Sequence, residues 1–367
     1  MKQKLSVYRA AFYLLLFICP GAAAAHASAI LQSEFIYESA PFPSCHASTI
    51  VETKSGLVAA WFGGTAERHP DVCIYVARQE RGHWSAPVAV ADGVGFLPER
   101  LPTWNPVLFQ PPSGPLLLFY KVGPSPAAWW GMLTTSTNDG VTWTPPMRLP
   151  GGILGPVKNK PLWLANGEIL CGSSTETGGW KVHFERTADL GKTWLATPPV
   201  NDGQAIGAIQ PSLLTLPDGS LAAMGRTHNE KLFQCRSLDA GKTWGEMKLL
   251  DLPNPDSGTD AVTLRDGRQL LVYNHNVRTG SRNKGRSPLN VALSTNGIDW
   301  FAALVLENDP LASNGFAYPA VIQTGDGRVH ITYTWQRKRI KHVVIDPAKL
   351  PAVPILHGIW PTLPTAD

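Results

Sequence analysis

Four cysteines, Cys45, Cys73, Cys171 and Cys235, are of a residue type that could form disulfides or hold a metal. They lie far apart in the sequence, and their spacing does not suit a zinc site. In an oxidising compartment they could form up to two disulfides, in a pairing that the sequence does not determine. The interpretation we favour is that they are buried in strands as small hydrophobic residues. We expect no metal and no other cofactor.

Ionisable side chains are scarce in this chain. Of 367 residues, 32 are basic and 28 acidic, which is 16%, against about 25% in a typical soluble domain. The longest basic run is residues 337–341, and a net charge of +4 is too small and dispersed to indicate a nucleic-acid partner. The 34 Gly, 32 Pro and 13 Trp instead indicate many short strands joined by tight turns.

The first 29 residues have the pattern of an export signal. Lys2, Lys4 and Arg9 precede an apolar stretch over residues 10–19, and two small-x-small cleavage sites follow, one ending at Ala27 and one at Ala29. No other segment approaches the 18 apolar residues of a membrane span. We therefore expect the mature chain, residues 30–367, to be periplasmic or secreted, with no stable membrane insertion after cleavage.

One short repeat organises the rest of the chain. Its pattern is Ser/Thr-x-Asp-x-Gly-x-Thr-Trp, and it occurs over residues 187–194, 237–244 and, with Asn138 in the Asp position, 136–143. A version one residue shorter covers residues 294–300, and residues 81–85 keep only its Gly-x-Trp end. An Asp in such a turn can accept hydrogen bonds from its own backbone, and the Trp can pack beneath it. We expect these turns to be structural.

A second set of turns lies between these repeats and divides the chain into units. Asn-Gly or Asp-Gly pairs, which are hairpin signals, occur at positions 166, 218, 266 and 326. Each unit of about 55 residues therefore holds four strands, the size of a propeller blade. The sequence predicts an all-β, six-bladed β-propeller in one domain, with a sixth blade over residues 319–345. We expect residues 30–38 to add the edge strand that closes the ring.

With these Asp-box turns the chain resembles the bacterial sialidase (neuraminidase) superfamily with BNR repeats, over almost the whole mature chain. The resemblance implies a site near the propeller axis with four residues of the family type. These are Asp71 as the acid–base residue, Tyr318 as the nucleophile, and Arg226 and Arg286 as carboxylate-binding arginines. Since two arginines can hold a carboxylate bidentately, an acidic sugar is the expected ligand.

Two positions depart from the family pattern. His46 stands where the first family arginine is expected, and a histidine is charged only below a pKa near 6.5. Gln210 stands where the family has the glutamate that activates the tyrosine, so that base is missing. The segments around Trp104, Lys160 and Glu176, which we assign to substrate binding, are similar to a divergent subgroup of related propellers.

The expected function is therefore a glycosidase that acts on a glycan with a terminal acidic sugar. One alternative is a polysaccharide lyase that cleaves uronate-containing glycans, with His46 and Tyr318 moving the proton. The other is a non-catalytic propeller that binds glycan or protein. The expected partner is an acidic oligosaccharide or polysaccharide.

Overall fold

Six antiparallel sheets follow one another along the chain as the blades of a β-propeller. The structure is a computed structural model that describes residues 28–95 and 99–363, so nearly all of the predicted export signal lies outside the described residues. The described residues contain one 3₁₀ helix, Pro347–Lys349, and no α-helix. None of them forms a helix long and apolar enough to cross a bilayer. The predicted fold class is confirmed.

The first strand of the described residues is β1 (Ile30–Phe35), which belongs to the last blade. The first blade contains β2 (Ser44–Thr53), β3 (Gly56–Gly64), β4 (Cys73–Glu80), β5 (His83–Trp84) and β6 (Val88–Ala91). The second contains β7 (Thr103–Phe109), β8 (Leu116–Val122), β9 (Trp130–Ser136) and β10 (Met147–Arg148). The third contains β11 (Leu162–Trp163), β12 (Ile169–Thr175), β13 (Lys181–Thr187) and β14 (Leu195–Ala196).

The fourth blade contains β15 (Ala208–Thr215), β16 (Leu221–Thr227), β17 (Lys231–Ser237) and β18 (Lys248–Pro253). The fifth contains β19 (Asp260–Thr263), β20 (Gln269–Tyr273), β21 (Leu289–Ser294), β22 (Phe301–Glu307) and β26 (Val353–Pro354). The sixth contains β23 (Phe316–Gln323), β24 (Val329–Trp335) and β25 (Arg339–Ile345), and β1 pairs with β25 along its whole length. The predicted sixth blade and its closing N-terminal strand are confirmed.

The core lies between neighbouring blades, and this explains the apolar composition of the middle strands. All seven residues of β8 are buried, because both faces of a central strand are covered by adjacent sheets. One cluster joins the first two blades, another the third and fourth, and a third the last two. The four cysteines are free and buried, each within a strand, as the favoured interpretation predicted.

The repeats form turns that join the third and fourth strands of a blade, with the expected chemistry. Asp189 Oδ1 accepts hydrogen bonds from the backbone of Lys192 at 3.0 Å and of Thr193 at 2.8 Å. Trp194 donates from its indole to the Gly191 carbonyl at 2.9 Å. In the copy with asparagine, Asn138 Oδ1 accepts from the backbone amide of Thr142 at 2.9 Å. An asparagine therefore also supports this turn. These contacts place the repeats in a structural role.

Four innermost strands share an irregularity that the sequence analysis did not predict. The register between the first and second strands of the blade shifts after His46, Trp104, Ile209 and Ala317. The residue at each bulge has a positive φ, and these residues are Ala47 (57°), Asn105 (37°), Gln210 (58°) and Tyr318 (52°). A bulge re-aims the side chains beside it. The same device therefore recurs at the inner edge of four blades.

Candidate functional site

Tyr318 lies at the centre of the candidate site. It occupies the bulge of β23, and its side chain is 8% exposed. Arg226, on β16 of the fourth blade, donates from Nη2 to the Tyr318 phenol oxygen at 2.7 Å. A hydrogen bond between a cation and an oxygen is stronger than one between neutral groups. The tyrosine oxygen is therefore fixed beside a positive charge.

Arg226 is held from two sides. Its Nη1 donates to the Asp256 carbonyl at 3.0 Å and to the Asp256 carboxylate at 3.2 Å. Its Cζ lies 4.8 Å from the ring centroid of Trp180, which in turn stacks on His228 at 3.5 Å. Guanidinium groups stack favourably on aromatic faces. These contacts orient Arg226 toward Tyr318.

Arg286 approaches the same tyrosine from the fifth blade, in the connection between β20 and β21. Its Cζ is 6.0 Å from the Tyr318 ring centroid, and its Nε is buried with no hydrogen-bond partner. Burial lowers the pKa of Arg286, and the charges of Arg337 and Arg226 act in the same direction, whereas Tyr318 opposes the shift. Arg286 is therefore a cation with donor capacity left for a ligand.

The ring of His46 contacts that of Tyr318, with centroids 4.0 Å apart and the two planes tilted by 47°. Its Nδ1 lies 3.0 Å from the hydroxyl of Thr334, while its Nε2 is buried and has no partner. Burial lowers the pKa of His46 well below 6.5, and the charges of Arg337, Arg286, Arg226 and Lys158 add to this. His46 is therefore neutral near pH 7, and in the tautomer whose Nδ1–H donates to Thr334 its Nε2 is available for a proton.

Lys158, from the third blade, completes the inner part of the site. Its Nζ lies 5.7 Å from the Tyr318 ring centroid and donates to Asn159 Oδ1 at 2.8 Å, the Thr259 carbonyl at 2.8 Å and the Pro319 carbonyl at 2.6 Å. Burial lowers the pKa of Lys158 to about 7. The lysine ties the segment that follows Tyr318 to two other blades.

Gln210 is connected to this lysine through Asn159. The backbone carbonyl of Gln210 accepts from the Asn159 side chain at 2.9 Å. The backbone amide of Gln210 donates to the hydroxyl of Ser174 at 3.1 Å. The side-chain oxygen Oε1 is buried and has no partner. A buried amide oxygen without a donor is costly, and a ligand hydroxyl or a protonated neighbour would satisfy it.

Asp71 lies at the same end of the first blade as His46, in the connection between β3 and β4. Its carboxylate accepts from the Thr65 amide at 3.0 Å and the Thr65 hydroxyl at 2.7 Å, and it pairs with His69 at 2.7 Å. Burial acts to raise the pKa of Asp71, but the hydrogen bonds from Thr65 and His69 outweigh it and the pKa is lowered. Its contacts are with its own loop and with Arg100, whose guanidinium donates to its carbonyl.

The remaining predicted residues lie in three different places. Glu176 follows β12 close to Arg226; burial raises its pKa, while Arg226 and Trp180 oppose the rise. Trp104 is 1% exposed, and its indole donates to the Gly123 carbonyl at 2.8 Å, so it packs behind Trp129.

Lys160 contacts the central strands away from Tyr318. It pairs with Asp260 at 3.0 Å and donates to the Ala261 carbonyl at 2.9 Å. It also lines a cavity of about 640 Å³ together with Thr53 and Asp139. His46 lies near the start of β2 and Thr53 at its end. This cavity is therefore at the end of the blades opposite to His46 and Tyr318. The structure thus brings Lys158, and not Lys160, to Tyr318.

Sequence reasoning missed Trp180, Asp256 and Arg337 as parts of the site. Trp180 and Asp256 lie outside the repeats and have no motif that would single them out. Arg337 was visible only as part of a basic run, although its charge acts on both His46 and Arg286. In the part of the chain that the structure describes, no group of three or more His, Cys, Asp or Glu residues could hold a metal ion.

The fold and this site define a β-propeller with a cationic cluster around a tyrosine near its axis. Residues 55–331 match the family model described as a BNR repeat-like domain, which covers about three quarters of the chain. The chain therefore belongs to the BNR repeat-like domain family, as a sialidase-like member of that superfamily.

Comparisons with individual proteins agree with this assignment. The chain is 23% identical over 186 residues to an anhydrosialidase of Macrobdella decora, which is 46% of this chain and 23% of that protein. The match thus spans less than a quarter of the curated relative. A Dyadobacter fermentans protein of unknown function has a TM-score of 0.70 at 19% identity, over 86% of this chain and 98% of its own. The NanB sialidase of Streptococcus pneumoniae has a TM-score of 0.68 at 12% identity, over 88% and 71%. These likenesses show a shared fold.

Proposed function

We propose that the protein is an exported glycosidase that removes a terminal acidic sugar from a glycan. The observation that carries this proposal is the convergence on Tyr318 of three groups from separate blades. Arg226 donates to its oxygen at 2.7 Å, the His46 ring contacts its ring with centroids 4.0 Å apart, and Arg286 lies 6.0 Å from that ring. The similarity to an anhydrosialidase and to sialidase structures supports the same class of chemistry.

In this proposal the arginines recognise the sugar carboxylate. Arg286 has a buried Nε without a partner, and Arg226 presents its guanidinium beside Tyr318. A planar guanidinium matches the geometry of a carboxylate. An anion held there would also relieve the repulsion among the cations of the site. The carboxylate would therefore set the anomeric carbon above the tyrosine oxygen.

The tyrosine then acts as nucleophile. Its oxygen attacks the anomeric carbon as the glycosidic bond breaks, and the leaving oxygen takes a proton from Asp71. Because Gln210 cannot accept a proton, the phenol proton passes to Nε2 of His46, which is neutral and without a partner. Arg226 stabilises the negative charge that develops on the phenol oxygen. Water then attacks the same carbon, Asp71 takes a proton from it, and His46 returns its proton to Tyr318.

Asp71 has a lowered pKa, but as the acid of this reaction it must carry a proton. In the free protein the hydrogen bonds from Thr65 keep the carboxylate ionised. Asp71 must therefore gain its proton when the substrate enters and excludes water from the loop. We expect turnover to decline as the pH rises above the range in which the bound complex keeps this proton.

A product analysis tests the proposal. The purified protein is incubated with sialosides and, separately, with uronate-containing polysaccharides, and the products are separated by chromatography. Release of the free or anhydro acidic sugar supports the glycosidase. Ultraviolet absorbance of an unsaturated uronate indicates a lyase instead, and binding without product indicates a non-catalytic propeller. Arg286→Ala serves as the inactive control, and Arg282→Ala, an exposed arginine four residues away, as its matched partner.

A further inference from the structure

An exposed loop of the first blade reaches across to the turn of the sixth blade beside the site. Residues 65–70 are all exposed, and the loop is closed at its base by Asp71, which accepts from Thr65, and by the His69 amide, which donates to the Ala66 carbonyl at 3.0 Å. At the tip, Glu67 Oε2 accepts from Arg337 Nη1 at 2.8 Å. This ion pair connects the loop to the neighbouring sixth blade.

Arg337 lies in the turn between β24 and β25, and backbone hydrogen bonds hold this turn beside the site. Its carbonyl accepts from the amide of Cys45, the residue before His46, at 2.9 Å. The amide of the neighbouring Gln336 donates to the Gly315 carbonyl at 2.9 Å. Gly315 packs on Arg286, where a Cβ would meet the Arg286 carbonyl at 2.5 Å. The turn that carries Arg337 is thus fixed between the residues that hold His46 and Arg286.

The two acidic partners in this part of the site differ in their surroundings. Asp256, the partner of Arg226, is 17% exposed and holds that arginine with both its carbonyl and its carboxylate. The side chain of Glu67 is 39% exposed and makes its one ion pair from a solvent-exposed loop. An ion pair that is open to solvent contributes little to stability, because water screens both charges. Glu67 is therefore the anion that a ligand could displace at low cost.

We infer that Arg337 is a substrate-contacting residue that binds the carboxylate of an acidic glycan, and that Glu67 occupies its guanidinium only in the free protein. When the ligand carboxylate arrives, Arg337 exchanges one carboxylate for the other, and the loop that also carries Asp71 is released to rearrange over the sugar. This inference rests on the proposed function, because it assigns a third cation to the same acidic sugar. It predicts that the protein prefers sugars with a carboxylate. The sugar carboxylate and the Glu67 carboxylate would compete for Arg337.

Calorimetric titration with N-acetylneuraminic acid and with glucuronic acid tests the inference on the full mature protein. Arg337→Gln is expected to weaken binding of the acidic sugar by about 10-fold or more, and Arg337→Lys by less. Glu67→Gln is expected to strengthen it by about 3-fold, because the competing anion is gone. Combined with Arg337→Gln, Glu67→Gln should have no further effect. The matched control is Arg339→Gln, two residues away, which removes a similar 2.6 Å pair with Glu38 on the outer surface.

The outcomes separate this inference from the proposed function. If Arg286→Ala abolishes binding while Arg337→Gln binds as the wild type does, the acidic-sugar site stands and the role of Arg337 is wrong. If Glu67→Gln weakens binding as much as Arg337→Gln, the pair is structural and the exchange is wrong. If the wild-type protein binds neither acid, both the proposed function and this inference fail. Thermal unfolding of each variant shows whether a loss of binding reflects a loss of folding.

Discussion

Arg226 and Tyr318 lie 92 residues apart in the chain and in different blades, and their side chains meet in a 2.7 Å hydrogen bond. The bond exists because the bulge of β23 gives Tyr318 a positive φ of 52° and because Asp256 and Trp180 orient the guanidinium. Neither side chain could be placed by the repeat pattern. The bond fixes the phenol oxygen, which we propose as the nucleophile, beside a positive charge.

We expect Tyr318→Phe to reduce turnover by at least about 100-fold with little change in the affinity for the acidic sugar. The substitution removes the attacking oxygen and leaves the arginines in place. Initial rates and ligand titration measure the two effects separately. Tyr120→Phe is the matched control, since its buried hydroxyl has no partner and it lies in the second blade. Equal turnover in wild type and Tyr318→Phe would exclude the tyrosine as nucleophile.

Arg286→Ala is expected to abolish turnover, because it removes a guanidinium whose Nε is buried and unpartnered beside Tyr318. The backbone carbonyl that accepts from Phe316 at 2.7 Å is retained, so the fold of the connection should survive. Circular dichroism checks folding, and product release checks activity. Wild-type activity in this variant would contradict the carboxylate site, whereas Arg282→Ala should remain active.

Stability is expected to fall on acidification because of a buried histidine pair in the sixth blade. His330 Nδ1 lies 3.0 Å from His342 Nε2, and His342 Nδ1 lies 2.9 Å from Glu34 on β1. Burial lowers the pKa of His330 to about 4, and the charge of His342 adds to the shift. Between about pH 4 and 6.5 the unfolded chain binds more protons, so stability rises with pH across that window and is lost below it.

The size of this effect is at most about 3 kcal/mol, from the difference between the folded and unfolded pKa of His330. Urea unfolding near pH 4.5 and pH 7 measures it. His330→Gln should reduce the slope, to which His46 also contributes through its lowered pKa. His357→Asn, at an exposed position, should leave the slope unchanged. An unchanged slope in His330→Gln would show that other groups determine acid stability.

Asp189→Ala is expected to lower the Tm by a few degrees without changing turnover. The hydroxyl and amide of Thr193 lower the pKa of Asp189 to about 2, because they donate to its carboxylate and hold the turn. Differential scanning calorimetry and a rate measurement distinguish the two effects. Lys192→Ala, an exposed residue of the same turn, is the control. A loss of turnover at unchanged Tm would contradict a structural role for this repeat.

The repeats predicted the fold because each copy determines its own local structure. The residues that correspond to Asp189 and Trp194 form the same turn in each full copy of the repeat. The spacing of the copies along the chain then gives the number of blades. The closing strand at residues 30–35 followed from the need to cover the last sheet edge. The free, buried state of the cysteines followed from their positions in apolar strands.

The candidate site was predictable only where the resemblance supplied a position. His46, Arg226, Arg286 and Tyr318 meet in the structure, whereas Lys160 lies elsewhere and Lys158 takes the place beside Tyr318. Both lysines contact the inner strands, and two residues of separation in an irregular segment decide which of them lies beside Tyr318. A sequence pattern does not resolve that. Arg337 reaches the site through a turn whose conformation depends on contacts to Cys45 and Gly315.

The recurring bulge has a consequence for how such a protein can change its chemistry. Ala47, Asn105, Gln210 and Tyr318 occupy equivalent places in four blades, and each backbone is already shaped to hold a side chain near the axis. The four blades thus share one backbone shape and carry four different residues on it. Since a positive φ is costly for β-branched residues, only some side chains fit these places, and this restricts which groups can be presented near the axis.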